Sequence, residues 1–319
     1  MKFSASFLRL TLFLCIPFLY WQCDKDNDSG KGQLRIELTD APLDDDNVKA
    51  VFVTVSEVRI DGEQWPGMDS KTTIDLTTLQ NGNVQSLGIG EVDAQSYNRI
   101  TLVLDMDEDA SGNSPGTYIL AQDNTKHDLS SSSSGEMEID ISGSEFDVTE
   151  SSSNTIVVDF DLRKSLRYGN SIEPSSDYSF GTNADLEASL RYVEKNRAGH
   201  IHGHVTDIVS TSDIIVVYAY KEGDFNRAGQ VSGASDEQFD QAVTSAMVDA
   251  QGNYKLSWLE EGEYELVFAS YEDDGSNGTM DLQGTLNLNT LLGIDIKSVD
   301  VSLSSTVTVD VTITGISPI

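Results

Sequence analysis

A two-residue alternation of apolar and polar side chains runs through most of this chain and limits what it can fold into. Leu34, Ile36 and Leu38 lie on one side of the first such segment, and residues 51–55 repeat the pattern. This period is typical of a strand with one buried face. Asp and Pro residues between positions 40 and 47 favour a surface loop. The sequence therefore predicts a strand, a loop and a second strand as the opening of a β domain.

Further segments with this period follow, separated by clusters of Gly, Asn, Ser and Asp. The strongest is residues 156–162, in which the apolar residues are predicted to face inward, while Asp159 and Asp161 face outward. Residues 194–199 are polar and interrupt the alternation, which marks a domain boundary. The other predicted strands include residues 74–76, 100–104, 118–120, 137–141, 186–192, 199–205, 214–220, 248–256, 262–267, 299–301 and 307–313.

Sustained helical periodicity is almost absent from the sequence. One short helix is predicted at residues 236–243, with Ser235 as its N-cap. The serine runs at residues 130–134 and 151–153 are typical of loops. We therefore predict an all-β fold of two consecutive, mostly antiparallel, β-sandwich-like domains, residues 33–193 and 198–319, after a signal peptide.

Acidic residues outnumber basic ones by more than two to one. The chain has 53 Asp and Glu against 20 Lys and Arg, a net charge of -33 and a pI near 4.1. A negative net charge of this size repels phosphate backbones and anionic lipid headgroups, so nucleic acid is excluded as a partner. Most of these carboxylates are expected to form a solvated surface that resists aggregation.

The N-terminus has the pattern of an export signal. Two basic residues precede a dozen apolar ones at positions 10–21, a run too short to span a bilayer. Cys23 follows at the position where bacterial lipoprotein signals keep the lipidated cysteine, although the residues just before it are larger than in those signals. We therefore predict a signal peptide at residues 1–22, lipidation of Cys23 and a flexible acidic tether at residues 23–32. The alternative is an ordinary signal peptide or an uncleaved anchor with an incidental cysteine.

The predicted location follows from this segment. An acidic run after the cysteine resembles the surface-export signal of outer-membrane lipoproteins, so we expect the protein in the outer membrane, lipid-anchored and facing the exterior. The alternative is that this run is a plain soluble linker. Cys15 is the only other cysteine and lies inside the signal, so the mature chain contains no internal disulfide.

Several motifs carry a resemblance to a known family. Leu38-Thr39-Asp40-Ala41-Pro42 and the later Val53-Thr54-Val55 resemble the start of a domain of unknown function from lipid-anchored proteins of Gram-negative bacterial surfaces. The segment Val158-Asp159-Phe160-Asp161-Leu162-Arg163-Lys164 resembles a late strand of the same domain. The resemblance spans residues 33–193 and implies a surface location, but that family has no established activity.

The C-terminal segment carries a second resemblance. Residues 248–256 and 262–267 resemble paired strands of the carboxypeptidase regulatory-like domain, a transthyretin-like β-sandwich also classed as carbohydrate-binding-like. The resemblance covers residues 198–319 and implies carbohydrate as the leading class of ligand.

Two segments imitate catalytic or metal-binding motifs but lack a structural requirement of each. Residues 112–116 fit Gly-x-Ser-x-Gly, but a strand pattern follows where a nucleophile elbow requires a helix, so a β-turn is predicted. Asp105, Asp107 and Asp109 have calcium-loop spacing, yet Ala110 and Gly116 occupy positions that need Gly and Glu, which excludes an EF-hand. We assign no catalytic residue and predict that the chain is not an enzyme. Carboxylate pairs for hydrolysis cannot be recognised without distances, so a carboxylate-dependent hydrolase stays an alternative.

Two metal sites are hypothesised from residue type and spacing, and no cofactor is required. Asp44, Asp45 and Asp46 could chelate calcium in the opening loop. His200, His202 and His204 would share one face of a strand and could bind zinc. Side chains two apart on a strand are roughly 6.5 to 7 Å apart, so two histidines with a neighbouring Asp or Glu form a better site than all three.

Exposed aromatic side chains form platforms on which sugar rings stack. Trp65, Trp258, Tyr218 and Tyr220 would serve if they line an exposed face, whereas Tyr254 and the later Tyr264 are expected in the core. We therefore predict a non-catalytic, lipid-anchored binding or interaction module of the cell envelope, with carbohydrate as the leading ligand. A structural spacer is the further alternative. The expected partners are the membrane, through the anchor, and polysaccharide or other surface proteins.

Overall fold

The structure is a computed structural model that describes residues 30–43, 45, 47–129, 135–168, 178–207, 212, 214–232, 238–273, 280–290 and 293–319. The predicted signal peptide, Cys23, Asp44, Asp46 and the serine run at 130–134 lie outside the described residues. Within these ranges, no helix combines the length and the apolar composition needed to cross a membrane.

The elements up to residue 194 form the N-terminal part of the molecule. They are mostly strands, as the two-residue period predicts. Short helices lie between them, and residues 186–189 of the predicted strand 186–192 are helical. The elements are β1 (Lys31–Ala41), β2 (Val48–Ile60), β3 (Glu63–Gln64), β4 (Thr72–Asp75), a 3-10 helix (Leu76–Leu79), β5 (Gln85–Asp93), β6 (Ser96–Asp105), β7 (Tyr118–Ala121), β8 (Lys126–Asp128), β9 (Glu136–Asp147), β10 (Ser153–Asp161), α1 (Leu162–Ser165), β11 (Leu166–Tyr168), β12 (Tyr178–Phe180), α2 (Asn183–Ser189) and β13 (Leu190–Glu194).

Two sheets of the N-terminal part face each other across one core. The first has the order β13-β10-β1-β5, and the second has the order β8-β7-β2-β6-β9, with β3 and β4 also paired to β2. Alternate residues of β1 and β2 point between the sheets, and Leu34, Ile36, Val53 and Val55 are fully buried there. All these pairings are antiparallel except that β1 runs parallel to β10. The predicted β-sandwich-like class is confirmed.

The C-terminal part begins at residue 199 and shares no described strand with the first two sheets. Its strands pair in the order β16-β15-β18-β19-β22-β14-β17, with β20 on β18 and β21 on β14. The elements are β14 (Gly199–Asp207), β15 (Ile214–Lys221), α3 (Arg227–Gln230), β16 (Thr244–Met247), β17 (Asn253–Leu259), β18 (Gly262–Asp273), β19 (Met280–Thr290), β20 (Val299–Val301), β21 (Thr306–Thr308) and β22 (Val311–Pro318).

The helix predicted at residues 236–243 is wrong in its described part, because residues 238–241 form turns. Phe239 lies there with a positive φ of 54° and stacks on Tyr218 with ring centroids 4.1 Å apart. Its amide donates to the carbonyl of Gln230. These tertiary contacts outweigh the weak local preference for helix that the N-cap pattern indicated.

Candidate functional site at the junction of the two parts

The outer face of the sheet β13-β10-β1-β5 is covered by the C-terminal part at β10 and β13. On β10, Asp159 and Asp161 point away from the core, as predicted, yet their exposed fractions are only 4% and 3%. These two carboxylates therefore do not belong to the solvated surface that is expected of most acidic residues. Apolar Val157 and Val193 lie on the same face and are buried too. They are the sequence signal that this face is covered.

Trp258 is the centre of the apolar contact at this junction. Its side chain is buried in a cluster with Val157, Val193 and Ala198, with Val84 packed against it. The Nζ atom of Lys195 lies 5.3 Å from the centroid of the indole ring. Burial of a large aromatic ring between the two parts stabilises their contact through the hydrophobic effect.

Next to this apolar contact lies a cluster of six charged side chains, four of them buried, whereas Lys164 and Arg191 are partly exposed. Asp159 Oδ2 accepts a hydrogen bond from Arg191 Nη2, and Asp161 Oδ2 lies 3.2 Å from Arg163 Nη2. Lys164 Nζ is 3.7 Å from the same Asp161 oxygen. The sixth member is Asp40, which accepts the backbone N–H of Leu162 through its Oδ1 atom. Burial of so many charges is costly, so the cluster depends on its pairs being complete.

The titration of the cluster is shifted by its burial. Burial, together with the negative charges of Asp159 and Asp161, raises the pKa of Asp40 well above its usual range. Burial also raises the pKa of Asp159, although Arg191 opposes that shift, and burial lowers the pKa of Lys164. Within the described residues, Asp40 Oδ2 has no hydrogen-bond partner. Asp40 therefore takes up a proton more readily than an exposed aspartate does.

The cations of this cluster also reach across to main-chain carbonyls of the C-terminal part. Arg163 Nη1 donates to Phe239 O at 2.9 Å and to Gln238 O at 3.1 Å. Arg191 Nη1 donates to Trp258 O at 2.6 Å, and Lys164 donates to the carbonyl of Ala242. Each guanidinium thus binds a carboxylate on its own side and a carbonyl on the other.

Two of these carbonyls belong to residues with unusual backbone angles. Phe239 and Trp258 have φ values of 54° and 59°, in the left-handed region that bulky residues rarely adopt. Such residues cost about 1–3 kcal/mol each and persist only where surrounding contacts hold them. At this junction the contacts are the aromatic packing of both rings and the hydrogen bonds from the arginines. The arrangement is suited to fixing one part of the molecule against the other.

The three histidines of the metal hypothesis lie on β14 and have separate partners. His202 and His204 are exposed, and His200 is half-buried with its ring edge against Trp258. His202 Nε2 is 2.7 Å from Thr308 Oγ1, and His204 Nε2 is 3.1 Å from the carbonyl of Gln251. Across the residues that the structure describes, no group of three or more His, Cys, Asp and Glu side chains is placed to hold a metal ion. Zinc binding stays a prediction.

Of the three acids in the calcium hypothesis, only Asp45 lies within the described residues. Its side chain is buried and accepts hydrogen bonds from the backbone N–H of Asn47 and from the hydroxyl of Tyr178. The later acids Asp105 and Asp109 accept backbone N–H groups of their own turns. These carboxylates thus stabilise loop geometry.

The predicted sugar platforms are not on the surface. Trp65, Trp258, Tyr218 and Tyr220 are exposed by 2%, 8%, 0% and 0%, so the hypothesis of stacking on these rings is wrong. The rings instead fill the hydrophobic clusters of the two parts and their junction. The expectation that Tyr254 and Tyr264 are core residues is confirmed.

Comparison with known proteins gives one family match. The family model described as "Domain of unknown function (DUF4382)" matches residues 31–180. The match overlaps most of the segment that carries the first resemblance, and it ends before the C-terminal part. The link of that segment to surface lipoproteins stays a prediction. The similarity of residues 198–319 to a carboxypeptidase regulatory-like domain therefore stays a prediction. No curated protein matches the chain.

Several solved structures of bacterial proteins, some of them pilins, show a remote similarity. The chain is 12% identical to BcpA, the major pilin subunit of Bacillus cereus, over 89% of this chain and 70% of that one, with a TM-score of 0.21. For GBS52, the minor pilin of Streptococcus agalactiae, the identity is 13% over 90% and 98% of the two chains, with a TM-score of 0.21. The Bacillus anthracis TIE protein gives 10% identity and a TM-score of 0.18, and the match spans 34% of that chain. Agreement this low carries no argument about function.

Proposed function

We propose that this chain is a non-catalytic binding or interaction module of the bacterial cell envelope. Its two β parts act as one rigid unit on a lipid-anchored tether. The observation that carries the proposal is the junction, where Arg163 and Arg191 each bind a buried carboxylate and a carbonyl of the opposite part. A carboxylate-dependent hydrolase and a plain spacer are the competing functions.

The two parts are held rigidly together, because their separation would break hydrogen bonds and expose apolar surface at the junction. Arg163 and Arg191 would lose their carbonyl partners, while Trp258 would lose its apolar cluster. A hydrogen bond from a charged donor contributes about 1.5–3 kcal/mol, so the loss of these bonds opposes separation of the two parts. The unit therefore holds the outer surface of the C-terminal part at a fixed position relative to the tether.

Carbohydrate is the ligand class that we propose for that outer surface. A groove of about 500 Å³ lies beside β14 and is lined by His202, His204, Asp249, Lys255 and others. It offers hydrogen-bond donors and acceptors of the kind that bind sugar hydroxyls. Because the predicted stacking residues are buried, this binding would depend on polar contacts.

The location that we propose rests on Cys23 and the residues around it. Lipidation of Cys23 and export to the outer face of the outer membrane would place the unit at the cell surface. Labelled fatty acid is expected in the wild-type protein and not in the Cys23→Ala variant. Protease treatment of intact cells is expected to cleave the wild-type protein. Protection from protease would place the protein on the inner leaflet.

Binding is tested with a glycan array and with pull-down from envelope fractions. The probe is the full chain carrying Cys23→Ser, compared with the same chain carrying Lys255→Ala in the groove and with Glu91→Gln as a distant control. Glycan binding reduced by Lys255→Ala alone would support the carbohydrate proposal. Turnover of a glycan would favour the hydrolase, and the absence of any ligand would favour the spacer.

A further inference from the structure

One wall of the groove beside β14 comes from the N-terminal part of the molecule. Lys255, His202 and Thr308 lie side by side on three adjacent strands of the C-terminal sheet and line the groove. Asn81 lines it too, although it belongs to the turn between the 3-10 helix and β5. The groove is therefore complete only while the two parts are docked.

The backbone of this turn allows it to lie directly on β17. Asn81 and Gly82 have φ values of 60° and 83°, both in the left-handed region. A Cβ on Gly82 would lie 2.5 Å from Ser257 Oγ and 3.1 Å from Lys255 Nζ. Only glycine tolerates both this φ and so close an approach. The turn is thus in contact with the strand that carries the groove lysine.

The two segments that meet at this wall continue into the junction. Val84, which follows the turn, packs against the apolar cluster around Trp258. Trp258 lies on β17, as Lys255 does. Because the same two segments form the groove wall and the apolar contact, separation of the two parts would open the groove.

The turn is also anchored to its own part. Thr39 Oγ1 donates to the carbonyls of Leu79 and Asn83, at 3.1 and 2.8 Å, on the two sides of the turn. Thr39 belongs to β1, an inner strand of the sheet β13-β10-β1-β5. Asn81 therefore reaches the groove from a rigid support, which is what precise positioning of a binding group requires.

We propose that a sugar in this groove contacts both parts of the molecule, with the Asn81 amide as the contribution of the N-terminal part. A side-chain amide offers both donors and an acceptor to sugar hydroxyls. The sugar binds tightly only to the docked unit, and by linkage it stabilises docking by the same free energy. This inference rests on the proposed function, because it assigns the carbohydrate groove a second contact surface and makes its affinity depend on docking.

Calorimetric titration of the full chain carrying Cys23→Ser tests the inference, with linear hexamers of glucose, mannose and xylose as the probes. Gly82→Ala adds a Cβ that pushes the turn away from β17. If the turn then lies in place in a tenth of the molecules, the apparent Kd rises about tenfold.

Gly62→Ala is the matched control for this variant. Gly62 also has a left-handed φ, of 88°, and also follows a non-glycine residue with positive φ. A Cβ there would have only Arg99 Nη2 nearby, at an ordinary 3.6 Å. The backbone strain is thus similar in the two variants, while only Gly82→Ala displaces the groove wall. We expect Gly62→Ala to bind the hexamers as tightly as wild type.

Asn81→Gly removes the amide and keeps a residue that adopts the left-handed φ. Loss of one hydrogen bond to the sugar is expected to weaken binding about three- to tenfold. Asn124→Gly is its control, since Asn124 is exposed and has a φ of 67° in the turn between β7 and β8. It is expected to leave the affinity unchanged.

Acetylation of Lys255 by acetic anhydride, followed by mass spectrometry, reports on the turn without any sugar. The turn lies over Lys255 Nζ, so its displacement should expose the amine. We expect faster acetylation of Lys255 in Gly82→Ala than in Gly62→Ala, with the exposed Lys31 as the internal reference.

Equal acetylation of Lys255 in the two glycine variants would overturn the inference. Hexamer binding that Lys255→Ala abolishes, while Gly82→Ala and Asn81→Gly keep full affinity, would refute this inference alone and leave the proposed function standing. Absence of binding by all three hexamers and by every glycan of the array would overturn both.

Discussion

Removal of Arg191 gives the most direct test of the junction. Its guanidinium binds Asp159 on one side and the carbonyl of Trp258 on the other. Arg191→Met keeps much of the apolar stem and removes the charge. Asp159 is 4% exposed, so the substitution leaves a buried carboxylate without its cation. Removal of one partner of a buried pair costs about 3–5 kcal/mol of unfolding free energy.

The size of this loss should depend on pH, and its sign follows from Asp159. Burial raises the pKa of Asp159 above its unfolded value even with Arg191 present, so a proton on Asp159 favours the folded state. Without Arg191 the folded-state pKa rises further. The contribution of Asp159 to stability then falls as pH rises from its unfolded pKa to its folded pKa. We therefore expect a larger deficit for Arg191→Met at about pH 8 than at about pH 5.

Urea unfolding followed by tryptophan fluorescence measures this deficit. Of the three tryptophans, Trp21 lies in the predicted signal and Trp258 reports on the junction. Arg99→Met is the matched control, because it removes an arginine from an exposed ion pair. The Arg99 side chain is 50% exposed, and its Nη1 atom lies 3.9 Å from Asp140 Oδ2. Exposed pairs contribute about 0–1 kcal/mol. Arg191→Met combined with Asp159→Asn should be more stable than Arg191→Met alone, since no unpaired carboxylate is left.

Two results would refute the reasoning about the junction. A deficit for Arg191→Met no larger than for Arg99→Met would show that the buried pair adds nothing to stability. A deficit that stays the same from about pH 5 to about pH 8 would show that Asp159 does not titrate as its burial implies.

Three further predictions concern other parts of the molecule. Burial raises the pKa of Asp40 in the folded state. The contribution of Asp40 to stability therefore falls as the pH rises above about 4, the ordinary pKa of an aspartate. Asp40→Asn should therefore become more stable relative to wild type as the pH rises, which urea unfolding at a series of pH values measures. A difference in unfolding free energy that does not change with pH would contradict this prediction. Gly203→Ala should lower the free energy of unfolding by about 1–3 kcal/mol, because its Cβ would lie 1.9 Å from the carbonyl oxygen of Val309. Gly229→Ala is the control, since a Cβ there meets only ordinary contacts. Heat on titration with zinc that is lost in His202→Ala would support the metal hypothesis, and unchanged heat would contradict it.

Most of the strands could be predicted from the sequence, because each depends on local periodicity. Residues 34–38 and 51–55 lie in β1 and β2, and their apolar positions are buried as predicted. The parallel pairing of β1 with β10 could not be predicted, since it joins Ile36 to Ile156 across 120 residues. No local signal specifies which distant strand is the neighbour.

The functional site was harder to predict than the fold. The alternation on β10 predicts which side chains point away from the core. It does not predict whether water or a second layer of protein covers that outer face of the strand. Val157 is an apolar residue among the side chains that point away from the core, and it indicates that protein covers this face. The sequence indicates Arg163 and Lys164 only as the end of a strand, since the carbonyls that they bind lie 76 and 78 residues further along the chain. The left-handed backbone at Phe239 has no Gly or Asn to indicate it.

Strain at Phe239 and Trp258 links the fold of the C-terminal part to the junction. Each residue turns its carbonyl toward an arginine of the N-terminal part while its ring packs in a hydrophobic cluster. A relaxed backbone at either position would redirect the carbonyl and move the ring. The arginines therefore contribute to the local conformation of the C-terminal part as well as to docking. Loss of either arginine should loosen the backbone around its aromatic partner before the sheet itself unfolds.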